Sequence, residues 1–208
     1  PGFSAAEVLI DEDDKVYGVA TGDMGVSKDG IAKDSWESGM ELHAKYTLFS
    51  EGARGSLSKF LIDNFELSKE SDHQKYAIGI KELWEVKEEN HQEGLVEHSM
   101  GWPLSEGTGG GSFLYHFGQN LVSIGYVVHL NYTNPYVSPF DEFQQFKTHP
   151  SIKKILEGGK RISYGARAIT AGGFQSVPKL FFPGGALIGC SAGFLNYPKI
   201  KGTHNAME

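Results

Sequence analysis

Apolar and polar positions change their spacing several times along the chain, and each change predicts an element. Ala5–Ile10 and residues 15–21 are short apolar-rich runs around the acidic turn Asp11-Glu12-Asp13-Asp14, the pattern of two strands. A polar loop carrying Asp23, Lys28, Asp29, Gly30 and Lys33 follows. Residues 41–49 then alternate and end in Thr47-Leu48-Phe49, which predicts one strand running into Ser50-Glu51-Gly52-Ala53-Arg54-Gly55-Ser56. Leu57, Phe60 and Leu61 stand at i, i+3 and i+4, so a helix starts near Ser56. The result is a strand–glycine–helix junction with an acid just before its glycine.

Residues 76–83 predict a strand ending at Trp84, and the charged stretch 85–93 predicts a solvated loop or short helix. The triplet Gly109-Gly110-Gly111 opens a hairpin: residues 112–117, the turn Gly118-Gln119-Asn120, and residues 121–130. In the second arm Val122, Ile124, Tyr126, Val128 and Leu130 share the core face. Leu121, Ser123, Gly125, Val127 and His129 share a smaller, partly polar face, where a mid-strand glycine leaves room for a ligand or for close packing. Ser138-Pro139 is a helix start with Asp141 and Glu142 in its first turn, and Phe140, Phe143 and Phe146 form its apolar stripe. His149-Pro150 breaks that helix; Ile152, Ile155 and Leu156 predict a second, ended by Gly158-Gly159. Residues 160–169 return as a strand.

A second junction closes the chain. The apolar run 186–188 stops at Gly189, crosses Cys190-Ser191-Ala192-Gly193, and restarts as a helix at Gly202-Thr203. Bare backbone at such a loop admits a ligand, and a helix start offers N–H groups to negative charge. Taken locally, the pattern favours an ordinary connection. At Glu51-Gly52 the carboxylate has two readings, accepting from ribose hydroxyls or capping the turn.

Composition narrows the chemistry. With 208 residues, 39% of them hydrophobic, the chain can bury a sizeable core in one or two domains. Net charge is −7 and no Lys/Arg cluster occurs, which argues against nucleic acid as a partner. Cys190 is the only cysteine, so the chain has no internal disulfide and cannot by itself hold zinc or an iron–sulfur cluster. The longest apolar stretch, residues 121–130, is too short to span a bilayer. His-Glu-x-x-His and metal-ligand spacings are missing, so no side chain is assigned a catalytic role and no metal ligand is assigned. Two junctions and a glycine-rich hairpin suit a large planar cofactor that brings its own chemistry.

Several blocks then carry a specific resemblance. Gly111-Ser112-Phe113-Leu114-Tyr115-His116, His149-Pro150-Ser151-Ile152-Lys153, Leu156-Glu157-Gly158-Gly159-Lys160-Arg161-Ile162, Tyr164-Gly165-Ala166-Arg167-Ala168, Gly172-Gly173-Phe174-Gln175-Ser176 and residues 188–207 resemble electron transfer flavoprotein–ubiquinone oxidoreductase. Ala6-Glu7-Val8-Leu9 and Lys81-Glu82-Leu83-Trp84 extend the match upstream, so it covers essentially the whole chain. The family is a monotopic enzyme of the mitochondrial inner membrane, on its matrix face, and of the bacterial inner membrane in prokaryotes. It carries FAD and one [4Fe–4S] cluster, and it passes electrons from reduced electron transfer flavoprotein to ubiquinone.

The resemblance implies a fold of α+β and α/β character: part of a glutathione-reductase-like FAD domain, with an inserted mixed β-sheet and helix quinone-binding domain. Residues 1–65 and 170–208 would form the partial FAD domain, and residues 66–169 the ubiquinone domain. The chain would be the middle of the enzyme and inactive alone, with the Gly-x-Gly-x-x-Gly motif before it and the cluster cysteines after it. Glu51 and Gly52 match the second flavin motif. Gly189 and Cys190 match the third, where related flavoenzymes usually carry Gly-Asp, so a ribityl carboxylate contact is not expected here. Gly202 and Thr203 would bring a helix start to the flavin pyrimidine end. Gly110 and Gly111 match the paired glycines at the quinone headgroup, and Gly109 departs from the bulkier aromatic often found beside them. His116 is the nearest candidate by sequence for delivering protons to reduced quinone. Two other readings are a flavoprotein reductase or hydroxylase of the geranylgeranyl-reductase type and a non-redox lipid-binding module.

Overall fold

The computed structural model describes residues 2–196 and 201–207. The chain divides into two compact units, Pro1–Gln74 with Gly172–Glu208, and Lys75–Ala171. In the first unit, β1 (Ala5–Ile10) and β2 (Val16–Thr21) pair antiparallel around the expected acidic turn, where Asp11 Oδ1 accepts from the Asp13 and Lys15 amides at 3.1 and 2.9 Å. The expected polar loop is instead a hairpin, β3 (Met24–Val26) with β4 (Ala32–Glu37). Most of its residues are exposed, so burial leaves no alternation to read.

Residues 41–49 do not form one strand. β5 (Glu41–His43) pairs antiparallel with β2, and β6 (Thr47–Phe49) leaves for another sheet. Between them the Ala44 amide donates to Tyr17 O at 2.9 Å. The helix α1 (Ser56–Asn64) follows as expected and buries Leu57 and Leu61.

The second unit is one antiparallel sheet backed by two helices. Its strands are β7 (Tyr76–Glu85), β8 (Val96–Met100), β9 (Gly110–Phe117), β10 (Leu121–His129) and β11 (Lys160–Thr170), in the order β11-β7-β10-β9-β8. The edge strand β8 was not expected from the pattern; all five of its residues are exposed. α2 (Pro139–Phe146) starts at Ser138, whose Oγ accepts from the Asp141 amide at 3.3 Å, and α3 (Pro150–Leu156) follows. Val122, Ile124, Tyr126 and Val128 are buried against Phe143, Phe146, Ile152 and Leu156, as the alternation requires. Leu130 and Phe140 are exposed and fall outside this core, because the first lies past the end of β10 and the second turns away from the sheet.

One ionic cluster pins this unit. Glu82 on β7 is buried, accepts from Lys147 Nζ at 2.8 and 3.0 Å and from Arg161 Nη1 at 3.1 Å, and takes the Trp84 indole N–H at 2.8 Å. It thereby joins β7, β11 and the residue following α2.

The chain then returns to the first unit through β12 (Phe181–Phe182) and β13 (Gly185–Leu187), and α4 (Thr203–Met207) lies near its end. β12 pairs antiparallel with β13, and β13 pairs parallel with β6. The core here comprises Val8, Val16, Phe49, Leu57, Leu61, Leu67, Phe182, Leu187 and Ala192. Phe182 stacks on Phe65 with ring centroids 5.1 Å apart. Among the described residues no helix is long and apolar enough to cross a membrane.

Candidate functional site

The parallel pair β6–β13 brings the two junctions together. Its register sets Thr47, Leu48 and Phe49 against Gly185, Ala186 and Leu187, so both strands end at the same edge. The Ile188 amide, one residue past the end of β13, donates to Phe49 O at the end of β6 at 3.0 Å. Beyond that point the loop of Glu51 and Gly52 lies beside the 3-10 turn Gly189–Ser191, where Ser191 Oγ donates to Gly52 O at 3.2 Å. The carboxyl ends of parallel strands are where open α/β sheets bind ligands. Sequence reading had named Glu51, Gly52, Gly189 and Cys190; it missed Ser191, which ties the two loops and carries no motif of its own.

Glu51 takes the capping role. Its carboxylate accepts from the Ser58 amide at 2.6 Å, the Ser58 hydroxyl at 2.7 Å and the Leu57 amide at 3.3 Å. It thus satisfies N–H groups that a helix start leaves unpaired, with the favourable charge for that end. Gly55 permits this, since a Cβ there would overlap the Glu51 side chain. Cys190 is half-buried within its turn.

The last part of this site is set by the loop back to α4. Asn196 and Lys201 form an antiparallel bridge, and residues 197–200 between them lie outside the described residues. Asn205 Nδ2 donates to Phe194 O at 2.7 Å, and the Ala206 amide donates to Gly202 O at 3.0 Å, which fixes Gly202 and Thr203 at the start of α4. The space around the glycines is informative. A Cβ on Gly52 would meet nothing within 4 Å, one on Gly189 only Ala206 Cβ at 4.0 Å, and one on Gly202 only ordinary contacts to Leu195 from 3.6 Å. Half-buried backbone that an added methyl would not crowd, at three glycines, leaves room for an extended planar cofactor.

The hairpin glycines differ. Gly110 pairs with Val128 on β10, while Gly111 pairs with Val127 on β10 and Met100 on β8. A Cβ on Gly110 would overlap Val127 O and Leu104, and one on Gly111 would overlap Ser99 O. The sheet itself therefore requires both glycines. Gly111→Ala is expected to destabilise this unit by about 1–3 kcal/mol, the usual cost of overpacking, with or without quinone. Thermal melts of the full-length protein in quinone-free detergent measure this, and an unchanged melt would show that the strands can part at that point. Gly125 is likewise filled, by the Phe113 ring packed over it, so the small face of β10 holds no vacancy there.

His116 stands six residues along β9 from Gly110, roughly 20 Å at the rise of a strand, too far to serve a headgroup at the glycine pair. It is buried, and its Nδ1 accepts from the Gln92 amide at 3.1 Å. Burial, and then the neighbouring His91 with its ring centroid 5.3 Å away, hold its pKa below the ordinary value against the pull of Glu97. It holds the 92–95 turn against β9, aided by the bonds from Gly94 N to His116 O at 3.0 Å and from His116 N to Leu95 O at 2.9 Å.

The fold is that of the FAD-dependent oxidoreductases. A geranylgeranyl bacteriochlorophyll reductase-like protein of Thermoplasma acidophilum superposes with a TM-score of 0.69 at 16% identity, covering 99% of this chain and 45% of that one. A flavoprotein/dehydrogenase from Cytophaga hutchinsonii gives 0.55 at 15% identity, over 99% of this chain and 45% of its own. Within this class the sequence is more specific: residues 76–169 match the family described as ETF-QO, ubiquinone-binding. Over its whole length the chain is 59% identical to the mitochondrial electron transfer flavoprotein–ubiquinone oxidoreductases of Caenorhabditis elegans and Homo sapiens, and 57% to that of Arabidopsis thaliana. It covers 35%, 34% and 33% of those proteins respectively, so it spans about a third of the relatives it matches. The resemblance carried by the sequence motifs is thus to these oxidoreductases across the entire chain.

Proposed function

We propose that this chain supplies the quinone site and part of the FAD site of an enzyme that passes electrons from reduced electron transfer flavoprotein, by way of a [4Fe–4S] cluster and FAD, to ubiquinone. The observation that carries the reading is identity of 57% or more across the whole chain. The same identity separates it from the geranylgeranyl-reductase type, which shares the fold at 16%. Membrane association without a spanning helix, at the matrix face of the mitochondrial inner membrane, belongs to the same proposal.

Bound FAD would supply the redox chemistry. The unit Pro1–Gln74 with Gly172–Glu208 would hold it, through backbone at Gly52, Gly189 and Gly202 and through the start of α4 at Thr203. Glu51 would act chiefly by ordering the Gly52 loop, since three of its acceptor positions are already used. Cys190 would stand beside the ribityl chain as a small, uncharged group. The cluster cysteines would come from the remainder of the polypeptide. The unit Lys75–Ala171 would bind ubiquinone, with Gly110 and Gly111 at the headgroup; support for that pair is family resemblance, because packing alone already explains both glycines. Full-length protein is expected to show a flavin absorption spectrum and to reduce a short-chain ubiquinone when given reduced electron transfer flavoprotein. A colourless preparation, or a flavoprotein inert toward quinone, overturns the reading.

A further inference from the structure

The register of the β9–β10 hairpin continues one step past its last strand pair. Val127 stands opposite Gly111 and Val128 opposite Gly110, and the His129 amide then donates to Gly109 O at 2.9 Å. Opposed residues of an antiparallel pair carry their side chains on one face, so the imidazole of His129 shares its face with the bare Cα of Gly109. The ring fills the gap left there. A Cβ on Gly109 would lie 2.7 Å from His129 Nδ1, 3.1 Å from Cε1 and 3.2 Å from Cγ. The place from which an aromatic side chain at 109 would start is thus held by a ring arriving from the neighbouring strand.

The surroundings say what such a ring can touch. On the helix side the glycine pair is already covered: Leu104, which packs against the core beneath α2 and α3, lies where a Cβ of Gly110 would be. A flat ligand at the pair is therefore met from the side of Gly109 and His129. Gly109, Gly110 and His129 are each half-buried, so that side is open to a ligand. Across the other edge of β10, His129 stands opposite Ala77 of β7, so between Gly109 and Ala77 the imidazole is the only side chain larger than a methyl. Burial, and then the charge of Lys75, hold the His129 pKa below its ordinary value, which keeps the ring neutral at pH 7 and suited to an uncharged ligand.

We propose that His129 packs its ring against the ubiquinone headgroup at Gly110 and Gly111, taking the place of an aromatic side chain at position 109. The inference rests on the reading of this unit as ubiquinone-binding. It adds a specificity-determining side chain to a site where the glycines offer backbone alone. The ring acts by stacking and van der Waals contact, and it moves no proton.

The experiment is a set of variants of the full-length enzyme in detergent. Each is read by its KM for a short-chain ubiquinone with reduced electron transfer flavoprotein as donor, by the rise in melting temperature that the quinone gives, and by the melt without quinone. His129→Gly is expected to raise KM about two- to tenfold, the worth of one ring–ring contact, with kcat changed less and the quinone-induced rise reduced. His129→Phe, which keeps a flat ring in place, should hold KM within about twofold. Gly109→Phe brings its Cβ into the imidazole and should raise KM as well. Adding His129→Gly to Gly109→Phe should bring KM back toward that of the parent enzyme. An unchanged KM in His129→Gly overturns the proposal, and so does a double variant no better than Gly109→Phe alone. A KM that follows the quinone-free melt through all four variants also overturns it, because the ring then acts only through stability. A parent enzyme inert toward ubiquinone overturns the reading of the unit instead.

Discussion

Glu82→Gln is expected to cut the hydrogen-exchange protection of β7, β10 and β11 in the full-length protein by a factor of about 10²–10⁴. The neutral side chain keeps the shape of glutamate but leaves Lys147 with no counter-charge, and the Lys147 side chain is only 13% exposed. Breaking a buried pair from one side costs roughly 3–5 kcal/mol, because the remaining charge stays desolvated. Arg161 adds less to this figure, since its side chain is 44% exposed and water screens it. Lys147 also lies over the Trp84 and Phe143 rings, at 5.5 and 4.9 Å from their centroids, so a displaced ammonium disturbs the helix packing as well. A loss of protection below tenfold would mean that the cluster is peripheral to the stability of this unit.

The same carboxylate fixes a pH dependence. Burial pushes the Glu82 pKa up, but hydrogen bonds from Lys147, Trp84 and Arg161 outweigh it, and the net displacement is downward from the ordinary 4.5. A group with a depressed folded-state pKa contributes stability above its unfolded value and loses it as pH falls through the folded one. Protection of these strands should therefore hold constant from neutrality to about pH 5 and decline below it. Glu82→Gln should lack that part of the decline.

How legible this was from sequence depended on burial. Val122, Ile124, Tyr126 and Val128 declared the core face of β10 because one side of the strand is dry, and alternation records that directly. β8, β3 and β4 lie mostly in solvent, and a strand wet on both faces writes no pattern. The break between β5 and β6 was hidden for another reason: Glu41 to Phe49 keeps alternating while the chain changes sheets, and long-range pairing decides which sheet each half joins. At the candidate site, glycines marked the junctions but not the difference between them. Gly111 is needed by Ser99 of its own sheet, whereas a Cβ on Gly202 would make only ordinary contacts to Leu195, and nothing in the local sequence separates those cases.

That difference turns into the most direct test of the flavin site, a pair of glycine variants with opposite expected origins. At Gly184 the backbone is left-handed, with φ +80°, and an added Cβ would overlap the Val16 carbonyl. The same turn holds two strand ends, since Val16 N donates to Pro183 O and Thr47 N to Gly184 O, each at 2.9 Å. Gly184→Ala should therefore lose flavin because the first unit loses structure, and melting temperature and flavin content should fall together. At Gly202 the methyl of alanine meets only Leu195, at ordinary contact distance, and the position just before α4 tolerates alanine at a cost of about 1 kcal/mol or less. Gly202→Ala should therefore keep the flavin-free protein's melt while lowering flavin affinity at least tenfold, because the methyl fills the approach a planar cofactor would use. Equilibrium dialysis of FAD against the full-length apoprotein, beside melts of the same sample, reads both quantities. Unchanged affinity in Gly202→Ala would remove this backbone from the cofactor site, and a parallel fall in melting temperature would give its glycine the same structural origin as Gly184.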